Sequence, residues 1–202
     1  ALTANTTGTQ NTAVGSLALQ TITTSSTCSA FGYSALKLTT GGQNSGFGAY
    51  ALSTNSSGQQ NTAIGYQALR QATTADNNTS VGWRTMDANT TDAENTAVGK
   101  GALFANTTGT QNNAIGANAL DATTTGSYND ALGYNALGVN TEGERNTAIG
   151  NSSLDANTTG DKNIAVGMGA LGANTTADNN TAVGYQALLT NTTGTNNVAV
   201  GI

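Results

Sequence analysis

The chain has no histidine, no proline and a single cysteine, and among its 202 residues only 6 are basic and 11 acidic. Each shortage removes something. Without histidine the commonest general base is missing, and carboxylates such as Asp76, Asp121 and Glu142 sit in variable contexts where no acid/base pair or triad recurs. The sequence therefore reads as non-enzymatic, with no catalytic residue, no cofactor and no metal site. Asp87, Asp121 and Asp155 lack the fixed nonapeptide spacing of a calcium β-roll, and no lysine follows a glycine run in the pattern of a phosphate loop. Six scattered basic residues in a chain of net charge −5 leave no stripe to neutralise a row of phosphates, so nucleic acid is not an expected partner. No stretch approaches the ~20 apolar residues of a membrane span, so membrane insertion is not expected either. Cys28 has no partner for an intrachain disulfide and reads as a small buried hydrophobe.

Large apolar residues are scarce as well. The 15 Leu, 8 Val, 6 Ile and 3 Phe cannot fill the thick core that an ordinary globule of this length needs to offset about 1 to 2 kcal/mol of backbone entropy per residue. So low a content usually marks disorder, but disorder comes with high net charge, which this chain does not have.

What the chain has in abundance is Thr, Ala, Asn and Gly, and they are periodic. The string NTAVG stands at Asn11 to Gly15, Asn95 to Gly99 and Asn180 to Gly184, and NTAIG at Asn61 to Gly65 and Asn146 to Gly150. Aligned on the glycine, twelve copies run from Gly15 to Gly201; ten of the eleven intervals are 17 residues and the one from Gly32 to Gly48 is 16. The consensus is N-T-A-[VI]-G-x-x-A-L-x-A-N-T-T-G-x-x, whose positions are numbered below from the first Asn. In the short copy the missing residue is placed between Leu36 and the Thr39-Thr40-Gly41 turn. No change of composition interrupts the array, so residues 1–202 form one domain. The array starts at the eighth position with Ala1 and stops at the sixth with Ile202, as expected of a segment of a longer fibre or of a subunit that stacks end to end.

Positions 2 to 5 alternate as a short strand does. The fourth is always large and apolar, from Val14 to Val200, and the ninth is Leu or, once, Met86; these are expected to be two core stripes. The third admits only Ala, Gly or Ser, which predicts a close approach on that face. Asn-Thr-Thr-Gly supplies turn chemistry. A 17-residue period of poor helix formers is too short for helical solenoids. The fold predicted is all-β: a parallel β-solenoid, a β-roll or β-helix of about twelve 17-residue rungs. Asn at positions 1 and 12 and Thr at position 13 then form ladders that bond rung to rung, with Cys28 as a substitution in the first. Because two large residues per rung make a thin core, the small-residue face is expected to pack against identical chains in a parallel homotrimer; the alternative is a single-chain solenoid in which the small residues fit a flat interior between two sheets of one chain.

The NTAVGYQAL and NTTG repeats resemble the arrays of phage tail-fibre proteins and related bacterial surface fibres. The A-[VI]-G segment is similar to the head repeat of trimeric autotransporter adhesins, although those carry Val where this chain usually has Thr, as at Thr12, Thr62 and Thr96, and their rung is shorter. The resemblance implies left-handed parallel β-rolls associated as trimers, an extracellular location on a virion tail fibre or bacterial cell surface, and a mechanical role. The expected function is a structural, non-enzymatic fibre shaft whose main partner is itself, as a homotrimer or head to tail. The alternative is a glycan- or ice-binding module using Tyr and Thr ladders. Its glycan-contact candidates, with cell-surface glycans as the partner, are Tyr33, Tyr66, Trp83, Tyr134 and Tyr185 at position 6. Asn5, Asn89, Asn106, Asn157, Asn174 and Asn191, each opening Asn-Thr-Thr, match the glycosylation acceptor pattern.

Overall fold

The computed structural model describes all 202 residues. Its strands are three residues long and fall where the repeat puts them: Thr12–Val14 (β1), Ser29–Phe31 (β2), Ser45–Phe47 (β3), Thr62–Ile64 (β4), Thr79–Val81 (β5), Thr96–Val98 (β6), Asn113–Ile115 (β7), Asp130–Leu132 (β8), Thr147–Ile149 (β9), Ile164–Val166 (β10), Thr181–Val183 (β11) and Val198–Val200 (β12). They form one parallel sheet in sequence order, with like positions paired, as in Ala30 beside Gly46 and Phe31 beside Phe47. The chain is a β-solenoid, and rung n below means strand βn with the residues that follow it. At about 4.8 Å per step the twelve rungs make a rod about 53 Å long.

The turns carry most of the stacking. Of 129 backbone hydrogen bonds only 22 lie within strands. In the segment after each strand the bonds point alternately down and up the rod: the Tyr50 N–H donates to the Tyr33 carbonyl below (2.9 Å), and the Leu52 N–H to the Ala68 carbonyl above (3.1 Å). That alternation requires positive φ at the seventh and ninth positions, 61° at Tyr50 and 50° at Leu52. A left-handed Leu costs on the order of 1 to 2 kcal/mol, and almost every rung accepts it to turn its largest apolar side chain inward. The fifth position is always Gly for two reasons. Its φ lies between 125° and 144°, and an added Cβ would collide with the same glycine one rung on, Gly65 with the Gly82 carbonyl for example.

The interior differs from expectation at the strand. Leu at position 9 is fully buried, but its partner is the small third position: Ala30 is 0 % exposed, whereas Phe31 beside it is 39 % exposed. The fourth position is therefore an outer stripe and not a core stripe, and the close approach predicted at the third comes from the chain's own Leu ladder. Space is short there: a Cβ on Gly46 would lie 3.2 Å from Leu36 Cγ. This removes the predicted packing of Ala faces between neighbouring chains, because those faces already line the interior of a single rod. One large side chain per rung makes the core thinner still.

Polar ladders complete the interior, as anticipated. From Asn61 onward each Asn at position 1 donates its backbone N–H to the Asn side chain below, Asn163 to Asn146 Oδ1 at 2.9 Å, and as far as Asn180 its amide to the carbonyl at position 15. The Asn at position 12 reaches the same carbonyl, so Gly160 accepts from both Asn146 (2.8 Å) and Asn157 (3.0 Å). Position 13 hydroxyls bond the next rung's carbonyl, Thr107 to Thr124 at 3.0 Å. Cys28 follows the pattern: its N–H donates to Asn11 Oδ1 at 3.0 Å and its Sγ lies 3.5 Å from the Gly41 carbonyl, in place of an amide. Burial raises its thiol pKa, which keeps it protonated and unreactive.

The short rung loses its residue later than expected. Thr39 is buried in the line of position 12, where it receives the Asn55 amide at 2.9 Å, and Thr40 bonds the next rung as position 13 does. Gly41 already fills position 15, so the deleted residue is the second Thr of the turn, at position 14.

Candidate functional site

Two surfaces depart from a plain polar exterior. The first is the outer face of the sheet. Because positions 2 and 4 point outward, a ladder of Val, Ile, Leu and Phe runs the whole length of the rod, with Val14, Ile64, Ile115, Leu132 and Val200 among its exposed members. Phe31 and Phe47 stack along it, ring centroids 5.1 Å apart. Ten of its twelve members are more than a third exposed, which makes a continuous apolar strip of the kind that marks an interaction surface. Position 2 borders it with Thr, Ser and Asn, with Asp130 as the one charge, and widens it with Ile164 and Val198.

The second surface is the corner formed by positions 6, 7 and 10, just past the strand. In rungs 2 to 6 it collects Tyr33, Tyr50, Tyr66, Trp83 and Phe104 together with Lys37, Arg70, Arg84 and Lys100. Tyr50 stands edge-on to both Tyr33 (5.2 Å) and Tyr66 (6.2 Å). Partial desolvation, then the neighbouring phenols, raise the Tyr50 pKa. The Arg84 guanidinium lies over both Trp83 (5.3 Å) and Phe104 (4.7 Å), and Lys100 covers Trp83 from the next rung (5.6 Å). Buried Asp87 bridges Arg70 and Arg84, each at 2.7 Å. The one Asp87 carboxylate thus holds both arginines, with Arg84 lying over the rings, while Lys37 and Lys100 enter no ion pair. A cavity of about 230 Å³ opens between Tyr33 and Tyr50, with Lys37, Ser53 and Thr54 in its wall. In rungs 7 to 10 position 10 of the same corner holds Asp121, Gly138, Asp155 and Gly172, and burial raises both carboxyl pKa values.

Of the five aromatic candidates, the structure brings Tyr33, Tyr66 and Trp83 into this patch and leaves Tyr134 and Tyr185 apart from it, exposed farther along the rod. Reading position 6 alone misses Tyr50, which stands at position 7 beside the small Ala49, and Phe104 at position 10. It also makes the basic residues look scattered, although four of the six share one corner. Their common face becomes legible only when positions 6, 7 and 10 are known to meet, which depends on the positive-φ turn.

The glycosylation candidates divide differently. Asn89, Asn106, Asn157 and Asn174 are 0 % exposed, with the Asn106, Asn157 and Asn174 amides bonded to position 15 carbonyls, so a glycan cannot be attached to them in the folded rod. Asn5 and Asn191, in the outermost turns, are more open, although they make the same local bond to Gly8 and Gly194. The Thr ladder at position 13 donates its hydroxyl protons to carbonyls along the rod, so toward a sugar or ice it is left to accept only.

Compared with protein-family models, curated proteins and solved structures, the chain matches none.

Proposed function

We propose that this chain is a structural, non-enzymatic shaft segment of an extracellular fibre, of the phage tail-fibre or bacterial surface-filament kind that its repeats resemble, and that it assembles with parallel copies of itself. The observation that carries this reading is the unbroken apolar ladder on the outer face of a rod whose interior is already filled. A face that is apolar at every rung is matched best by another copy in the same register, because the period of the two is then identical and each Val or Ile meets its counterpart at the same height. Three such faces around one axis bury the ladder of every chain, which makes the expected assembly a trimer built on the opposite side of the strand from the one that composition indicates. Hydrogen bonds running along the axis give such a shaft its stiffness and hold a terminal element away from a particle or cell.

Analytical ultracentrifugation tests the assembly. The expected mass is three times 20.1 kDa, and Ile64→Asp with Ile115→Asp and Ile149→Asp is expected to yield a monomer that keeps its β circular dichroism. A wild-type chain that stays monomeric at high micromolar concentration would overturn the self-assembling shaft.

A further inference from the structure

We propose that the corner of rungs 2 to 6 binds an acidic oligosaccharide whose sugar rings lie over Tyr33, Tyr50, Tyr66 and Trp83 and whose carboxylates meet Lys37 and Lys100. This goes beyond a shaft role and does not depend on it.

Three observations lead to that ligand. Four exposed aromatics follow one another over about 15 Å of rod, at the spacing of stacked rungs, so a linear ligand can lie along them, with the Tyr50 ring turned edge-on between Tyr33 and Tyr66. The row is concave at one end, where the cavity of about 230 Å³ beside Tyr33 and Tyr50 adds the Ser53 hydroxyl and the Lys37 ammonium, with Thr54, whose hydroxyl donates to the Arg70 carbonyl, in its wall. These are groups that suit a sugar's hydroxyls and carboxylate. The third is charge: Lys37, Arg70, Arg84 and Lys100 against Asp87 alone give the corner +3, so the remainder of a chain of net −5 carries −8. An anionic ligand is drawn to this corner and repelled elsewhere.

Single-stranded nucleic acid also stacks on aromatics, but it needs a track of cations along its backbone. Here Asp87 neutralises part of the arginine charge, leaving two free ammonium groups at opposite ends of the patch. The spacing fits intermittent carboxylates better than a phosphate at every unit.

Trp83 is the chain's one tryptophan and sits inside the patch, so its fluorescence reports occupancy directly. Titrating the full chain with a hyaluronan hexasaccharide, which carries a carboxylate on every second sugar, is expected to give a saturable change in emission that weakens in high salt, with neutral maltohexaose binding at least about ten-fold more weakly. The variants use residues that the repeat itself tolerates. Tyr50→Asn follows Asn118 and Asn135 at position 7, Lys37→Gln follows Gln20 at position 10, and Lys100→Ala follows Ala117 at position 6. Tyr50→Asn is expected to weaken binding about five- to ten-fold, and the double lysine variant at least as much. Tyr134→Ala and Tyr185→Ala are expected to leave it unchanged. No emission change at millimolar ligand, equal binding of the neutral sugar, tighter binding of an oligothymidylate, or an equal loss on removing Tyr134 or Tyr185 would overturn the site.

Discussion

Rungs 7 to 11 and rungs 2 to 6 follow the same backbone plan, yet their interiors are filled differently. In the former, position 1 is Asn in every rung from Asn112 to Asn180, and position 12 departs from Asn once, at Thr123. In the latter the ladders are broken by Cys28, by Thr39 and by Ala72, a residue is missing after Thr40, and Ser80, Thr85 and Met86 stand where the consensus has Ala, Ala and Leu. Some breaks are mended locally: Ser80 Oγ donates to the Thr85 carbonyl (3.0 Å) and Thr85 Oγ1 to the Gly99 carbonyl (2.8 Å). Others are not. The oxygens Asn55 Oδ1, Asn89 Oδ1 and Asp92 Oδ1 are buried without partners in rungs 3 and 5, against Thr123 Oγ1 alone in rung 7. Two of these flank Ala72, where the amide ladder has lost its middle member. A solenoid tolerates such faults because each rung contacts only its neighbours, so the cost stays local. The half with the imperfect interior is also the half with the aromatic and basic corner proposed as a binding site, and local rule-breaking of this kind tends to gather at such sites.

Variants can break or sharpen that contrast. The largest effect is expected where the halves are alike: Gly65→Ala and Gly150→Ala each force a Cβ into the next rung's backbone, and each should cost more than about 4 kcal/mol in chemical denaturation. A marked inequality between the two would show that the backbone plan is not shared. Next come the amides. Asn146 bonds Asn129, Gly160 and Asn163, and its replacement by Ala should cost about 3 kcal/mol, whereas Asn89, whose amide has only the Met86 sulfur at 3.9 Å, should lose less than about 1 kcal/mol.

Asp92 gives the irregular half a pH dependence. Burial pushes its carboxyl up to about 6, against the pull of backbone N–H groups and the Asn106 amide. With the folded value above the unfolded one, the folded rod binds the proton more tightly. Stability is therefore greatest below about pH 4 and falls as pH rises through about 6, by roughly 2 to 3 kcal/mol. Hydrogen exchange around rungs 5 and 6 should accelerate over that interval, and Asp92→Asn should flatten the response. The smallest effect is a repair: Ala72→Asn should reconnect Asn55 with Asn89 and stabilise by about 1 kcal/mol, read from the denaturation midpoint.

Much of this architecture could be read from the residues. The 17-residue period located all twelve strands, the buried Leu ladder, the Asn and Thr ladders and the role of Cys28, because each of those follows from like residues recurring at like positions. The missing residue was harder to locate, since Thr39 can be aligned either as a turn residue or as a stand-in for Asn, and only its place in the buried line decides. The glycosylation motifs were misleading for a related reason: Asn-Thr-Thr is the same string whether its amide faces water or the interior. The aromatic corner was half visible, as a column at position 6, and half hidden in the neighbouring positions that the turn folds beside it.

By itself, then, the sequence determined that the chain stacks in parallel rungs and which positions form ladders, because periodicity is a property of order along the chain. It also determined that positions 3 and 4 lie on opposite faces. Which of those faces is inside was decided only by the tertiary structure. Hydrophobicity favours burying Val, Ile and Phe, but the left-handed turn at position 9 sends Leu across the narrow interior and leaves room opposite it for nothing larger than Ala or Ser. The large side chains are turned outward, and the scarcity of apolar residues that first suggested a chain without a core becomes a rod with a filled interior and an apolar face to spare.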